Sequence, residues 1–187
     1  MDGRNALLYQ CDRMAKTQFK KMEAIDMYEK GMKTVSDSQV VTIHQLRYID
    51  INGQGRLFGG RLLEWIDETA ALAAERHAGM NVTTASISHL DFKEGAYLND
   101  TIVLVARVTY VGRTSIEVRC DTYLEDLETG MRHSINRAFL TEVCVDKEGH
   151  PTPVPYGLKI ESVAEQARYE GALNRIKMRK LADQEGF

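Results

Sequence analysis

Apolar positions along the middle of the chain recur with two different periods, and the changes between them outline the fold. Val40 to Tyr48 is rich in β-branched residues and predicts a strand, closed by the turn-forming stretch Asp50-Ile51-Asn52-Gly53-Gln54-Gly55. From about Gly60 to His77 the period becomes helical, in a run of good helix formers, LLEWIDETAALAAERH, with Gly79 as a natural C-terminal stop. Leu62, Ile66, Ala73 and His77 gather on one face of that helix, Leu63, Ala70 and Ala74 flank it, and Glu64, Glu68, Ala71 and Glu75 form a thin polar stripe. So narrow a polar stripe predicts a helix wrapped by other elements, and the small residues Ala70, Ala71, Ala73 and Ala74 let a sheet come close.

Four strand-like runs follow: Val82 to Phe92, Thr101 to Val111, Thr114 to Leu124 and His133 to Val145. The third has the cleanest period of two, with Ile116, Val118, Cys120 and Leu124 on one side and Glu117, Arg119 and Asp121 on the other. The links between them, Gly95 to Asp100, Gly112-Arg113 and Glu125 to Gly130, are short enough to join antiparallel neighbours. One strand, a buried helix and an antiparallel meander place the chain in the α+β class. Outside this block, residues 4 to 30 lack Pro and Gly and carry Leu8, Cys11, Ala15, Met22 and Ile25 at helical spacing, which predicts a helix ending near Gly31. Gly149 to Pro155 predicts an extended connector, and residues 160 to 184 a charged helix without a strong apolar face. The expected organisation is an N-terminal helical extension over 1–35, a single globular domain over 36–157 and a C-terminal helix over 158–187.

Composition narrows the function classes. At 187 residues, 43% hydrophobic and 27% charged, the chain suffices for one well-buried core. A net charge of −3 supplies no global basic field, so nucleic acid is not an expected partner. There is no signal-like N-terminal stretch and nothing near the roughly 18 consecutive apolar residues of a membrane span, so a soluble, cytoplasmic protein is expected. Cys11, Cys120 and Cys144 are too few and too scattered for a disulfide framework and are read as reduced thiols, two of them packed in strands. His44, His77, His89, His133 and His150 form no HExxH or HxH cluster, so no metal is expected.

Candidate chemistry centres on the helix. Asp67 lies between the polar stripe and the apolar flank, where a carboxylate faces the edge of a cleft and can accept a proton from a reacting group; the plainer reading is a solvated helix Asp, or one hydrogen-bonded to a neighbouring strand. Gly59 and Gly60 open the helix, either for tight packing or to leave amide groups exposed to a ligand oxygen. Asn52, followed by Gly53, is first of all a turn residue. The Gly112-Arg113-Thr114-Ser115 turn offers a cation and two hydroxyls, suited to a phosphate or a pantetheine chain, although solvated hairpin arginines are commonplace. Glu68 belongs to the solvated stripe, and His77 is expected to be a capping or core histidine.

Read together, the stretch NGQGRLFGGRLLEWIDETAALAAERHA from Asn52 to Ala78, VTTAS over 82–86 and VGRTS over 111–115 resemble the hotdog-fold acyl-CoA thioesterases, in the group of bacterial acyl-CoA hydrolases and the cytosolic brain-type acyl-CoA hydrolase of animals. The resemblance runs from about Ser38 to Pro155. It implies a six-stranded antiparallel sheet curled around the long helix, subunits pairing their sheets side by side, and dimers assembling further into a homohexamer. It also implies an active site at the subunit interface, where Asn52 of one chain faces Asp67 of its neighbour. In that site Asp67 activates water or attacks the thioester, Asn52 orients water or substrate, the Gly59-Gly60 helix start polarises the carbonyl, and Gly112, Arg113, Thr114 and Ser115 touch coenzyme A. No cofactor is implied beyond coenzyme A as part of substrate and product. The chain departs from the family where a Pro and a Gly-Asp turn often follow the first long strand, for here the sequence is Phe92-Lys93-Glu94-Gly95-Ala96-Tyr97-Leu98-Asn99-Asp100.

The same fold also serves non-catalytic acyl-CoA sensors. Binding alone does not require both Asn52 and Asp67, which favours the enzyme. A hotdog hydratase or dehydratase normally wants a His near the helix start, and none lies between His44 and His77.

Overall fold

The computed structural model describes residues 30–186, so the expected N-terminal helix and Cys11 lie outside the described residues. In chain order its elements are β1 (Met32–Thr34), α1 (Val35–Ser38), β2 (Val40–Gln45), α2 (Gly59–Ala78), β3 (Val82–Phe92), β4 (Thr101–Val111), β5 (Ser115–Glu125), β6 (Arg132–Cys144), β7 (Gly157–Lys159) and α3 (Val163–Glu185), with a 3₁₀ turn at Tyr48–Asp50.

Helix α2 ends as its sequence requires. Gly79 adopts a φ of 68°, a left-handed conformation that glycine takes at no steric cost, and its N–H donates to the Glu75 carbonyl at 2.6 Å. The Lys33 ammonium donates to the carbonyls of Arg76 and His77, at 2.7 and 2.8 Å, and so places a cation on the negative end of the helix dipole. The buried face is wider than the apolar spacing alone indicates, because Trp65 and Thr69 join it. Both have partners on β2: Trp65 stacks on His44 with ring centroids 4.1 Å apart, and the Thr69 hydroxyl meets that of Thr42 at 2.8 Å.

The sheet around α2 has the order β2-β4-β5-β6-β3 and is antiparallel throughout. Alternation along its strands sends Leu104, Ala106, Val108, Ile116, Val118, Cys120, Ala138 and Leu140 into one core with Ala70, Ala73 and Ala74 of the helix. Five strands form this sheet where the resemblance implied six. The remaining pair, β1 and β7, makes a separate parallel ladder that fastens the segment before α1 to the connector after β6. Strand β2 also stops at Gln45, not Tyr48. Leu46 turns inward and is buried, and the Asp50 carboxylate accepts from the Arg47 N–H at 3.0 Å, which closes the 3₁₀ turn. Between β3 and β4, Asn99 takes the left-handed conformation, with a φ of 73°, which its short polar side chain tolerates, and Asp100 accepts from the Tyr97 N–H at 2.8 Å.

Helix α3 lies against the opposite face of the sheet, held by cationic side chains in place of an apolar stripe. The Arg175 guanidinium donates to Glu117 at 2.7 Å and stacks 3.6 Å above the Phe139 ring, and Arg179 donates to the Thr141 hydroxyl at 2.7 Å. Cys120 and Cys144 are both buried and reduced, in β5 and β6.

Candidate active site

Period-two alternation along β6 points Ala138, Leu140, Glu142 and Cys144 toward α2, and one member of that row is a carboxylate. Glu142 is fully buried and sits opposite Thr84 in the ladder with β3. Thr84 in turn faces the middle of α2, where the half-buried Asp67 presents its side chain: the Thr84 hydroxyl donates to Asp67 Oδ1 at 2.7 Å. The same hydroxyl oxygen lies 3.1 and 3.4 Å from the two oxygens of Glu142. Burial pushes the Glu142 carboxyl up to about 7; the negative charges of Asp67 and Glu75 act in the same direction, and the Thr84 hydroxyl acts against them. Asp67 was legible in the sequence as a boundary carboxylate, whereas Thr84 and Glu142 were not singled out. The available signal for Glu142 was its place: a charged residue where the strand period calls for an apolar one.

The other candidates form a second group. Asn52 Oδ1 accepts from the N–H groups of Gln54 and Arg56 at 2.9 and 3.2 Å, so the side-chain oxygen closes its own turn and only the amide nitrogen remains to face a ligand. Asn52 lines a cavity of about 370 Å³ together with Gly59, Leu62, Phe92, Ala96 and Ile135. The two glycines differ in what they do. A Cβ on Gly60 would come within 2.6 Å of the Phe58 ring, so Gly60 answers to packing, while one on Gly59 would meet only the Phe92 ring at an ordinary 3.4 Å. The Phe58 carbonyl accepts from Arg61 and Leu62 at 2.9 and 3.1 Å, and no side chain caps the helix start. The amides of Gly59 and Gly60, ahead of Arg61, the first N–H to donate within the helix, are the positive end of the dipole.

Asp67 does not line this cavity, and it stands roughly 12 Å farther along the helix than Gly59 at 1.5 Å per residue. Within one protomer the structure therefore does not bring Asn52 and Gly59 to Asp67. The Gly112-Arg113-Thr114-Ser115 hairpin lies at the Asp67 end of the sheet, since Ile116 pairs with Glu142 and Glu142 with Thr84. Its backbone is engaged by the fold, with Gly112 N–H donating to Ser115 O at 2.8 Å and the Arg113 and Thr114 carbonyls accepting from Val154 and Cys144, while the Arg113 side chain is exposed. His77 is a core histidine, its ring bonded to Ser38 and to the Tyr156 carbonyl, and Glu68 is exposed. Among the described residues no group of three or more His, Cys, Asp or Glu is arranged to hold a metal, and no helix is long and apolar enough to cross a membrane.

Comparison with known proteins adds a family. The model of the thioesterase superfamily matches residues 54–131. A Bacillus subtilis protein named as an uncharacterized acyl-CoA thioester hydrolase is 38% identical over 119 residues, which are 64% of this chain and 69% of that one. The chain spans 26% of the length of the mammalian acetyl-coenzyme A thioesterases it also matches. Among solved structures, the Staphylococcus aureus acyl-CoA hydrolase in complex with butyryl coenzyme A, coenzyme A and coenzyme A disulfide superposes with a TM-score of 0.78 at 35% identity, covering 83% of this chain and 94% of that one. An apo-hexameric acyl-CoA thioesterase gives a TM-score of 0.77 at 39% identity, over 81% and 97% of the two chains. Further structures of the Staphylococcus enzyme carry alanine in place of an asparagine, an aspartate and a threonine, spaced along its chain at the same intervals as Asn52, Asp67 and Thr84 here.

Proposed function

The chain belongs to the thioesterase superfamily as a hotdog-fold acyl-CoA thioester hydrolase, and from that premise we propose that it works at a site shared by two copies, Asp67 coming from one and Asn52, Gly59 and Gly60 from the other. The observation that carries the role of Asp67 is the Thr84 hydroxyl on its Oδ1. It fixes one carboxylate oxygen against the sheet and leaves Oδ2 to act.

Chemistry then follows from the groups present. The Asn52 amide nitrogen and the Gly59 and Gly60 N–H groups polarise the thioester carbonyl, each well-placed donor being worth roughly 10²–10³ in rate. Asp67 Oδ2 takes a proton from water as the water oxygen bonds to the carbonyl carbon. Collapse of the tetrahedral intermediate breaks the C–S bond, and the proton held by Asp67 passes to the departing sulfur, giving a carboxylic acid and the free thiol of coenzyme A. Direct attack by Oδ2 uses the same residues: it expels the thiolate and forms a mixed anhydride, water then opens the anhydride at the aspartyl carbon and its proton passes to the thiolate, which would leave an oxygen of labelled water in Asp67 after a single turnover. A thioester is already activated toward water, so neither route needs a metal or an organic cofactor. Gly112, Arg113, Thr114 and Ser115 would hold coenzyme A, the exposed Arg113 guanidinium suiting a phosphate.

Two features support assembly. Strand β3 has one neighbour, β6, leaving eleven residues with an open edge among the described residues, and such an edge is a template for a second copy. Tyr48, Ile49, Phe58, Phe92 and Tyr97, in the segments around the Asn52 cavity, are each more than half exposed. A dimer through β3 is the minimum the shared site needs, and a trimer of dimers is the assembly we propose by analogy with the hexameric relative.

The test is release of free thiol from a panel of acyl-CoAs, short to long. Wild type should turn over at least one of them, and Asp67→Ala and Asn52→Ala should each lose that activity. Mixing the two inactive proteins with subunit exchange should restore about a quarter of wild-type turnover, because half of randomly formed dimers are mixed and each regains one of its two sites. No recovery despite demonstrated exchange would remove the shared site, and tight binding without turnover of any acyl-CoA would leave a sensor in place of an enzyme.

A further inference from the structure

Thr84 has one hydroxyl proton and two carboxylates within reach of it. Asp67 Oδ1, at 2.7 Å, is the nearer acceptor, and Glu142 follows at 3.1 and 3.4 Å. If both carboxylates were ionised, the proton could satisfy one of them only, and the lone pairs of Thr84 Oγ1 would face the oxygens of the other. Nothing else nearby relieves this conflict. The groups facing Glu142 are Thr84 from β3 and the acidic Asp67 and Glu75 from α2, its ladder partner on β5 is Ile116, and no Lys, Arg or His is paired with it among the described residues. A buried, unpaired negative charge beside a second one is the least favourable state the cluster can adopt.

We infer that Glu142 is held protonated and donates its carboxyl O–H to Thr84 Oγ1, so that Thr84 donates its own proton to Asp67 Oδ1 and three side chains fix the reacting carboxylate. This rests on Asp67 being that carboxylate. Glu142 is a positioning residue: it touches no substrate and keeps its proton through turnover. Its neutral form accounts for a carboxyl group in the row of Ala138, Leu140 and Cys144, and the direction in which burial moves it agrees. Ionisation of Glu142 would contest the Thr84 proton and bring a second negative charge toward the developing oxyanion, so turnover falls as pH rises through about 7.

Glutamine at this position separates the possibilities, since its NH₂ donates to Thr84 at every pH. Glu142→Gln should keep kcat within about threefold of wild type at pH 6 and lose the alkaline decline, while Glu142→Leu should lower kcat about tenfold with KM little changed. In a Thr84→Val background, replacing Glu142 by Gln or Leu should have no further effect, because Glu142 acts through Thr84. An alkaline decline unchanged in Glu142→Gln, or an undiminished Leu effect when Thr84 is Val, overturns the inference. A readout independent of turnover is the infrared carbonyl band of a buried protonated carboxyl. It should be present at pH 6 in wild type and in Asp67→Asn and absent in Glu142→Gln, and its absence from wild type overturns the proton assignment. Turnover surviving in Asp67→Asn with the band intact would instead discard the catalytic reading of Asp67 and leave the hydrogen-bond order standing.

Discussion

Two of the polar clusters along α2, one around His77 and one around Asp67, are built on opposite principles. At the C-terminal end, His77 Nε2 lies 3.2 Å from the Tyr156 carbonyl, which can only accept, so that nitrogen carries the proton; Nδ1, 2.7 Å from Ser38 Oγ, accepts from the serine. Two ring nitrogens meet two partners, and the count of donors and acceptors closes. In the middle of the helix, Asp67, Thr84 and Glu142 supply more acceptors than protons, and the count closes only if one carboxyl is neutral. Burial acts on both and moves them in opposite directions, taking His77 down to about 4 and Glu142 up to about 7. A cluster that closes on itself as a neutral unit stabilises the fold, and one in which Asp67 Oδ1 alone is bonded to the sheet leaves a carboxylate oxygen with the capacity to react.

The largest expected effect falls on the open cluster. Asp67→Asn should lower kcat by about 10²–10⁴ while the urea midpoint stays close to wild type. Near-normal thiol release would show that the open oxygen has no part in the chemistry. The closed cluster should answer in stability alone. His77→Leu strands the Ser38 hydroxyl and the Tyr156 carbonyl in a buried site and should cost about 2–4 kcal/mol in urea unfolding, with kcat per folded molecule unchanged. A fall in kcat at full folding would mean that the two clusters are not separate. Thr84→Val, which keeps the shape and removes the proton between the carboxylates, should lower kcat roughly 10- to 100-fold and leave KM nearly untouched.

This contrast also marks how far the sequence could be read. Helix α2 and strands β3 to β6 were legible to within a residue or two at each end, because their apolar periods are long and the links between them are short. The early end of β2 was hidden because Asp50 captures the Arg47 N–H, a local bond with no periodic trace. Asp67 showed itself by its place on the helix, and His77 was correctly placed as a core residue. Thr84 and Glu142 were not singled out, since a threonine in a run and a charge off the strand period gain their meaning only when β3 and β6 pair and bring them face to face beneath Asp67. The roles proposed for Asn52, Gly59 and Gly60 rest on the resemblance, because a site proposed to form between two copies leaves no spacing signal along one chain.

The smallest effect is a slope against pH, and it sharpens the comparison most. Between pH 4 and 6.5 an unfolded histidine binds more protons than His77 does in the fold, so that residue makes stability fall as pH falls. Glu142 works the other way: between 4.5 and 7 the folded protein binds the extra proton, so its contribution is full below about 4.5 and is lost as pH rises through 7. Over their shared window, 4.5 to 6.5, the two slopes oppose one another at about 1.4 kcal/mol per pH unit each, and their sum is near zero. Glu142→Gln removes one of them. Relative to wild type, the variant should gain about 3 kcal/mol as pH rises from 4.5 to 7, read as the difference between two urea titrations at each pH so that every other titrating group cancels. A difference that stays constant with pH would mean that Glu142 takes up no proton on folding, and the open cluster would then have to tolerate two ionised carboxylates around one hydroxyl.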